Sequence, residues 1–422
     1  MNPLTLGPVE PDGGWCFFAD PRALYFAGKR RSTYVGWLSA EGDVRVGRYD
    51  HALDQFESVL LHAGLHKDDH ANPALYIDAE GRITVFYSAH NGPEMLYRTT
   101  ERPEDLSSFG PEHSLPVNTG GGKGYTYPNP VYLRKERQLY LFWRGGNFKP
   151  NFSRCPDLGG NRWSEAETLI LDHGHRPYIR FASDGEDTIH FACTDGHPNI
   201  EPTNSIYYAC YRGGALYRAD GARIKAAEEL PLTLTEAETV FDGQAAGRNS
   251  WIWDIALDER GCPVIAYVVF AATNDHRYCC SRWSGEAWVH SELAAGGSWF
   301  PQTPEGETER EPYYSGGMIL DHGDPSTVYV SRPVNGMFEI ERWHTPDRGV
   351  TWSSEAVTSG SPSNQVRPFL TRRSAPSAAS QTGAGAAGAP GQADPLLLFW
   401  MSGDYLHYTD YRTVLKAASV RA

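Results

Sequence analysis

The sequence lacks long hydrophobic segments, has few cysteines and contains fewer basic than acidic residues. No apolar run is long enough to cross a bilayer. The first ten residues contain neither a basic segment nor an apolar segment, so we expect no signal peptide. Seven cysteines, an odd number without regular spacing, are typical of a reducing compartment rather than of a disulfide framework. These absences predict a cytoplasmic protein.

The deficit of basic residues also limits the possible partners. With 38 Lys and Arg against 52 Asp and Glu, the formal net charge is -14, which argues against nucleic acid and against an anionic membrane as partners. A basic pocket inside an acidic surface is still compatible with an acidic sugar. The oligomeric state is left open by the sequence.

Aromatic residues and turn formers are abundant. The 23 Tyr, 12 Trp, 43 Gly and 29 Pro favour many short strands joined by turns over long helices. We therefore expect an all-β protein.

A hairpin pattern recurs along the chain, in which two β-rich runs are joined by a turn. In the stretch from His66 to Asn91, a polar cluster precedes the first run and a polar pair follows the second, so His70 and His90 should lie at the same edge of a sheet. Six further hairpins have first runs that begin near Ala23, Tyr127, Arg176, Trp253, Gly317 and Arg367.

Seven units at a spacing of roughly 50 to 75 residues, most of them followed by further β-rich pieces, are typical of a propeller. We predict one domain over residues 1–422, a sialidase-like seven-bladed β-propeller with four-stranded antiparallel blades. A double β-sandwich is the structural alternative. The Ala-, Gly-, Ser- and Pro-rich stretch 374–394 is expected to be a flexible low-complexity insertion in the last blade.

One motif supports the propeller independently. The stretch from Thr345 to Trp352 matches the Asp-box pattern S/T-x-D-x-G-x-x-W, and Cys155 to Trp163 resembles a degenerate copy. We interpret the motif as a structural turn in which Asp347 accepts backbone hydrogen bonds and Gly349 takes a positive φ.

In a propeller, the innermost strand of each blade begins near the axial channel, and the link from the second to the third strand returns to the same face. Polar and aromatic residues occupy these two positions, although any single one is more often a solvated turn. At the start of the first strands we select His70, Asn72, Tyr125, Tyr127, Asn129, Arg176, Tyr178, Trp253, Tyr314 and Arg367, and at the ends of the second strands His90, Arg144 and His197. Such a cluster suits the removal of a proton next to a carboxylate, because Arg offsets the carboxylate charge while His or Tyr transfers protons.

Several segments together resemble a known family. D-D-H-A-N-P-A-L with A-H-N, Y-T-Y-P-N-P, F-W-R-G-G-N, R-P-Y-I-R-F-A-S-D-G and T-D-G-H-P are similar to the BNR-repeat propellers that include ulvan lyases, rhamnose-glucuronate lyases and α-rhamnosidases. The resemblance is strongest over residues 14–221. It implies paired histidines at His70 and His90, a carboxylate-neutralising Arg144, a catalytic tyrosine at Tyr127 or Tyr125, and a further pocket histidine at His197.

The function expected from this resemblance is β-elimination next to a uronic acid in an acidic oligosaccharide, with His70, His90, Tyr127 and Arg144 as catalytic residues. One alternative is an exo-glycoside hydrolase, an α-rhamnosidase or a sialidase-like enzyme, for which Asp68, Asp69, Asp195 and Asp254 are available carboxylates. Another alternative is a non-catalytic sugar-binding propeller, which would not need the histidine pair.

The expected chemistry needs no cofactor, but a structural metal ion is an open possibility. Asp68, Asp69, His70 and His90 are potential ligands of Ca²⁺ or Zn²⁺. A second candidate group is Cys262, His276, Cys279 and Cys280, for which buried free thiols are favoured over a zinc site because adjacent cysteines point to opposite faces of a strand.

Overall fold

The structure, a computed structural model, describes residues 2–4, 6, 11–116, 124–156, 158, 161–172, 174–198, 200–272, 274–298, 316–374 and 395–420. Over these residues the chain forms seven sheets arranged as the blades of a propeller, and their strands pair antiparallel except for the parallel pair β2–β29. The predicted all-β, seven-bladed fold is confirmed. The Ala- and Gly-rich insertion beyond Ser374 lies outside the described residues.

The strands follow one another blade by blade. The chain begins with β1 (Asn2–Leu4) and the first blade contains β2 (Ala23–Ala27), β3 (Arg31–Leu38), β4 (Val44–Asp50) and β5 (Gln55–His62). The second blade contains β6 (Ala74–Ile77), β7 (Ile83–Tyr87), β8 (Leu96–Thr99) and β9 (His113–Ser114), and the third β10 (Tyr125–Leu133), β11 (Gln138–Gly145), β12 (Pro150–Cys155) and β13 (Glu167–Thr168). The fourth contains β14 (Tyr178–Ser183), β15 (Thr188–Thr194), β16 (Ile206–Arg212), β17 (Ala215–Tyr217), β18 (Arg223–Ala226) and β19 (Glu238–Phe241).

The remaining blades complete the ring. The fifth contains β20 (Asn249–Leu257), β21 (Pro263–Ala272), β22 (Asp275–Trp283) and β23 (Trp288–Gly297), and the sixth β24 (Met318–Leu320), β25 (Thr327–Val334), β26 (Met337–His344) and β27 (Ser353–Ala356). The seventh is built from β28 (Gln365–Leu370), β30 (Leu396–His407), β31 (Asp410–Val420) and β1, while β29 (Arg372–Arg373) pairs with β2. Helical turns include Asp69–Ala71, Leu106–Ser108, Ala227–Glu229 and α1 (Gly243–Ala246).

The blade formed by β14 to β19 has six strands, whereas four were predicted. Its third strand, β16, pairs with β15 on one side and with both β17 and β19 on the other, and β17 pairs with β18. The added hairpin places Ala215 opposite Ala226. The repeat of this blade is therefore longer than that of its neighbours.

Burial follows the position of a strand within its blade. The second strand β11 reads Q-L-Y-L-F-W-R-G and is buried at all but its first residue, because neighbouring blades cover both of its faces. The outermost strand β27 reads S-S-E-A and is exposed throughout. The change from apolar to polar sequence thus marks the direction from the axis to the rim.

The two ends of the described chain close the ring. The strand β1 pairs antiparallel with β31, with Asn2 opposite Ser419 and Leu4 opposite Ala417. The last blade is thereby completed by the first strand, which ties the first and last parts of the ring together.

A buried segment, residues 15–22, crosses the centre of the propeller. The amide of Cys16 donates to the carbonyl of Asp69 at 3.0 Å, and the amide of Asp20 donates to the carbonyl of Pro128 at 3.1 Å. Phe17 packs on Trp253 with ring centroids 3.8 Å apart. We call residues 15–22 the axial segment.

The Asp-box forms the expected turn between β26 and β27. Asp347 accepts hydrogen bonds from the Thr351 amide at 2.7 Å and from Thr345 Oγ1 at 2.9 Å, and Gly349 has φ = 103°. The interpretation as a structural turn is confirmed. The degenerate copy includes Asp157 and Gly159, which lie outside the described residues.

Candidate active site

The histidine pair is placed by the hairpin β6–β7. Ala74 pairs with Phe86 across this hairpin, so the helical turn that carries His70 and the loop that carries His90 lie at the same edge of the blade. The two imidazole rings stack with centroids 4.2 Å apart and an interplanar angle of 3°. The predicted proximity of the two histidines is present in the structure.

Asp68 bridges the two imidazoles. Its Oδ1 lies 2.7 Å from His70 Nδ1, and its Oδ2 lies 2.7 Å from His90 Nδ1. Each ring therefore uses Nδ1 toward the carboxylate and keeps Nε2 for the pocket.

The electrostatic environment separates the two histidines. Burial acts to lower the pKa of His70, but Cys16, Asp68 and Asp69 outweigh it, and the pKa of His70 is well above its ordinary value. Burial lowers the pKa of His90, and the neighbouring His70 lowers it further. At neutral pH we therefore assign a protonated His70 and a neutral His90, a division of roles typical of acid–base sites.

Arg144, at the end of β11, fixes the tautomer of His90. The Arg144 guanidinium only donates hydrogen bonds, and its Nη2 lies 2.9 Å from His90 Nε2. His90 Nε2 is thus an acceptor, and the ring proton of the neutral imidazole is on Nδ1, facing Asp68. Nη1 of Arg144 donates to the hydroxyl of Tyr178 at 3.2 Å.

Tyr127 lies in a β-bulge of β10. The register of β10 against β11 shifts between Thr126 and Asn129, and Tyr127 has φ = 62°, an uncommon left-handed conformation for a tyrosine. The Arg144 guanidinium carbon lies 4.7 Å from the centre of the Tyr127 ring. Burial raises the pKa of Tyr127 well above its ordinary value, so its phenol is protonated.

A second wall of the pocket is formed by the fourth and fifth blades. The ring of Tyr178 lies 5.7 Å from that of His197 and 4.8 Å from that of Trp251. Burial, and then Arg176 and Arg144, lower the pKa of His197 to about 3, so this imidazole is neutral. Arg176 lies over Phe148, its guanidinium carbon 4.4 Å from the ring centre.

Some pocket residues were not predicted from the sequence. Tyr408, in the turn between β30 and β31, meets His70 edge-on with centroids 4.7 Å apart, and its carbonyl accepts from the Asp69 amide at 2.8 Å. Trp251 was also not predicted. It lies on β20 two residues before the predicted Trp253, and it packs against Tyr178 and His197. The turn at Tyr408 carries the sequence H-Y-T-D, whose aromatic pair is the only sequence signal for it.

Four of the predicted substrate-binding residues bind the axial segment instead. Asn72 Oδ1 accepts from the Cys16 amide at 3.0 Å, and Asn129 Nδ2 donates to the Phe18 carbonyl at 2.9 Å. Arg367 Nη1 donates to the Trp15 carbonyl at 2.8 Å, and Trp253 packs on Phe17. Their side chains are buried, and these contacts give them a structural role.

Of the two remaining predicted residues, Tyr125 lies outside the pocket. Tyr125 is 1% exposed and donates through its hydroxyl to the Pro116 carbonyl at 2.9 Å. Tyr314 lies outside the described residues. The structure thus brings together His70, His90, Tyr127, Arg144, Arg176, Tyr178 and His197 from the predicted set.

Potential metal ligands coincide with the histidine pair. Among the described residues, Asp68 with His70 and His90, and Cys16 with Asp69 and His70, offer ligand atoms within 4.8 Å of one another. In the structure Asp68 forms hydrogen bonds with both imidazoles. The thiols of Cys279 and Cys280 are free.

This geometry brings a neutral imidazole, a protonated imidazole, a buried phenol and a guanidinium into mutual contact at one end of the inner strands. The fold and the site therefore define a seven-bladed β-propeller with an acid–base pocket at one end of its axis. A sequence profile described as a BNR repeat-containing family member matches residues 32–295. The chain belongs to this family.

Curated relatives include two bacterial ulvan lyases. The chain is 25% identical over 211 residues to an ulvan lyase of Pseudoalteromonas sp. (strain PLSV), covering 44% of this chain and 41% of that protein. It is 20% identical over 390 residues to an ulvan lyase of Nonlabens ulvanivorans, covering 80% of this chain and 76% of that protein. The first match thus spans about two fifths of the relative's length.

Solved structures show the same fold. A polysaccharide lyase family 25 ulvan lyase bound to -[GlcA(1-4)Rha3S]- superimposes with a TM-score of 0.68 at 15% identity, over 97% of this chain and 94% of that chain. The polysaccharide lyase Uly1 superimposes with a TM-score of 0.59 at 12% identity, over 98% of this chain and 91% of that chain. No described helix is long and apolar enough to span a membrane.

Proposed function

We propose that this protein is a polysaccharide or oligosaccharide lyase that cleaves next to a uronic acid by β-elimination, at a linkage of the rhamnose–glucuronate or ulvan type. The observation that carries the proposal is the position of His90, whose Nδ1 lies 2.7 Å from Asp68 Oδ2 and whose Nε2 lies 2.9 Å from Arg144 Nη2. A base next to a guanidinium suits the removal of a proton α to a carboxylate. The ulvan lyases among the relatives support the substrate class.

Arg144 is proposed to bind the uronate carboxylate. The developing negative charge of the C5 carbanion spreads onto this carboxylate, so a guanidinium paired with it stabilises the transition state more than the ground state. The rings of Tyr127, Phe148 and Tyr178 lie 4.7, 5.5 and 5.7 Å from the Arg144 guanidinium carbon, and they exclude water and strengthen the interaction. Neutral His197 and Tyr178 flank the same position.

His90 is proposed to take the C5 proton through Nε2. Substrate binding must then displace the hydrogen bond from Arg144, which turns to the carboxylate. Asp68 holds the Nδ1 proton of His90 and stabilises the imidazolium that forms, as a carboxylate does for a catalytic histidine. The C4–O4 bond breaks, a C4–C5 double bond forms, and the O4 leaving group takes a proton from the protonated Tyr127 or His70.

The described carboxylates do not favour the hydrolase alternative. Hydrolysis usually needs two carboxylates on either side of the scissile bond. Asp68 is shared by the two histidines, Asp69 binds Arg367 and Tyr405, Asp195 binds Asn204, and Asp254 is buried among Arg180, Arg372 and His322. A protein that only binds sugar would not need a protonated His70 next to a neutral His90.

The test records ultraviolet absorbance and reducing ends together on a panel of uronate-containing oligosaccharides. The proposal predicts that each new reducing end appears with one absorbing C4–C5 double bond. Replacing Arg144→Gln or His90→Gln should lower kcat by roughly 10²–10⁴-fold, whereas the exposed Arg134→Gln should not change it. Reducing ends without absorbance would reject the lyase in favour of the hydrolase.

A further inference from the structure

A second cavity opens at the other end of the propeller axis. It has a volume of about 330 Å³, at the lower end of the roughly 300–1,000 Å³ of small-molecule pockets. The inner strands run from the histidine site toward it: β14 begins at Tyr178, which bonds Arg144, and ends at Ser183, which lines the second cavity. At about 3.3 Å per residue these two residues are roughly 16 Å apart. The second cavity is therefore distinct from the proposed active site.

Its lining combines apolar walls with a few basic and polar groups. The walls include Pro21, Leu24, Pro130, Val131, Leu257 and Leu396. The polar side comprises Ser183, Asp321, His322, Thr371, Arg372 and Arg373. Such a mixture is typical of sites for small organic molecules with a charged end.

Arg372 connects this cavity to a buried ionic cluster. Its Nη2 lies 2.7 Å from Asp20 Oδ2 and 3.1 Å from Asp254 Oδ1. Arg180 contacts the same two carboxylates, and His322 Nε2 lies 3.0 Å from Asp254 Oδ2. Both carboxylates are thus already shared between two arginines.

The cluster has an excess of positive charge. Arg22 neighbours Asp20, Arg180 and Arg372, so three guanidinium groups face two carboxylates. Arg22 is 1% exposed, and its Nε and Nη1 form no hydrogen bond with any group that the structure describes. Nε of Arg372 is buried and equally without an acceptor in the described chain. The Arg22 guanidinium packs on Phe369, its carbon 4.3 Å from the ring centre. The buried donors still lack acceptors, which is costly, so an anion near this end of the axis would be stabilised.

Arg373 adds a basic group at the rim of the cavity. It is exposed, and its Nη1 lies over Gly323, where an added Cβ would approach to 2.8 Å. The glycine therefore leaves the space that this guanidinium occupies. Arg372 and Arg373 both line the opening, and the carboxylate of Asp321 lines it beside Arg373, with its Oδ1 3.3 Å from the same Cβ position of Gly323.

We propose that this cavity binds a small organic carboxylate of about monosaccharide size. The carboxylate lies between Arg372 and Arg373, and the body of the molecule packs on the apolar wall formed by Pro21, Leu24 and Leu257. A charge-assisted hydrogen bond to a guanidinium gives the site its selectivity for an anion. The proposal does not depend on the reaction at the histidine site.

Isothermal titration calorimetry tests the proposal with glucuronate as the probe and with glucose as its neutral counterpart. The titrations use the full chain carrying Arg144→Gln, so that binding at the histidine site is weakened. We expect glucuronate to bind and glucose not to bind. In the same background, Arg373→Gln should weaken glucuronate at least tenfold, and the control Arg134→Gln should leave it unchanged.

The remaining outcomes decide against the proposal. Absence of glucuronate binding, or equal binding by the Arg373→Gln and Arg134→Gln proteins, would overturn it. Binding of sodium sulfate as tight as that of glucuronate would show a site for inorganic anions instead. Thermal unfolding of each variant is recorded to check that it folds. A second variant, Leu257→Gln, changes the apolar wall, and an unchanged affinity for glucuronate in this variant would also contradict an organic ligand.

Discussion

At the scale of single residues, the site depends on one carboxylate that binds two imidazoles. Asp68 is 3% exposed and holds both Nδ1 atoms at 2.7 Å. Burial alone would raise the pKa of Asp68, but His70 and His90 outweigh it and hold the pKa well below its ordinary range. Asp68 therefore acts as a positioning residue, because it orients the imidazoles without contacting substrate.

Replacing Asp68→Asn should lower kcat by about 10²-fold or more, because the amide cannot hold both Nδ1 protons and the two imidazoles lose their orientation. The KM should change less, since Arg144 is untouched. Steady-state kinetics check this, with the exposed Asp404→Asn as control. Equal kcat in the two variants would contradict the positioning role.

The same variant should show a pH-dependent loss of stability. A carboxylate with a depressed folded pKa stabilises the fold above its unfolded pKa of about 3.9, and this contribution is lost as the pH falls toward the folded value. His70, whose folded pKa is raised, adds stability below about 6.5 that is lost as the pH rises through the folded value. The difference in Tm between wild type and Asp68→Asn should therefore be largest between about pH 4 and 6.5, where both contributions are complete. A difference that keeps growing below about pH 4 would contradict this assignment.

The pH dependence of catalysis follows from the same two histidines. Because burial lowers the pKa of His90, the acid limb of kcat/KM should fall below pH 6.5. The proton donors, His70 and Tyr127, have raised pKa values, so the alkaline limb should lie well above neutrality. The expected profile is a broad plateau through neutral pH. An acid limb above pH 6.5 would exclude a neutral His90 as the base.

The sequence predicted part of the site at this scale. His70, His90 and Arg144 were predicted because hairpin geometry is local and repeats in every blade. Asn72 and Arg367 occupy equivalent strand starts, but the axial segment that binds them is distant in sequence. Which polar side chain faces the cavity and which faces that segment depends on tertiary packing alone.

At the scale of elements, irregularities in the inner strands position functional and structural side chains alike. The innermost strands β10, β20 and β28 each shift register, at Tyr127, Trp253 and Arg367. Tyr127 and Arg367 have left-handed φ values of 62° and 52°. A bulge turns one side chain toward the axis, at a cost in backbone energy that the surrounding contacts must offset.

Asn129 couples the bulge of β10 to the axial segment, which allows a test at this scale. Its Nδ2 donates to the carbonyls of Phe18 and Tyr127, both at 2.9 Å. Asn129→Ala should lower the free energy of unfolding by about 1–3 kcal/mol, because two buried carbonyls lose their donor. Chemical denaturation measures this, with the exposed Asn274→Ala as control. Unchanged stability would show that the axial segment is held without this contact.

At the scale of the whole molecule, the sequence repeats predict the seven blades, whereas contacts between the first and last parts of the chain depend on closure of the ring. The alternation of apolar runs and turns predicted seven blades because each blade is a local unit whose strands pair in sequence order. The pairing of β1 with β31 and the position of Tyr408 near His70 come from closure of the ring. The aromatic pair His407-Tyr408 marks a turn but does not show that the turn lies beside His70, and the pairing of β1 with β31 has no local sequence signal. The added hairpin β17–β18 was missed because it lies between regular repeats.

We propose that the protein breaks a glycosidic linkage by elimination at the pocket of His90 and Arg144. The most direct measurement is the cleavage of a defined uronate oligosaccharide in water labelled with heavy oxygen, followed by mass spectrometry of both products. Elimination adds no water, so we predict that neither product gains the label at the cleaved bond and that the uronate product is lighter than its hydrolytic counterpart by one water. Incorporation of one labelled oxygen per cleavage would contradict elimination and identify a hydrolase.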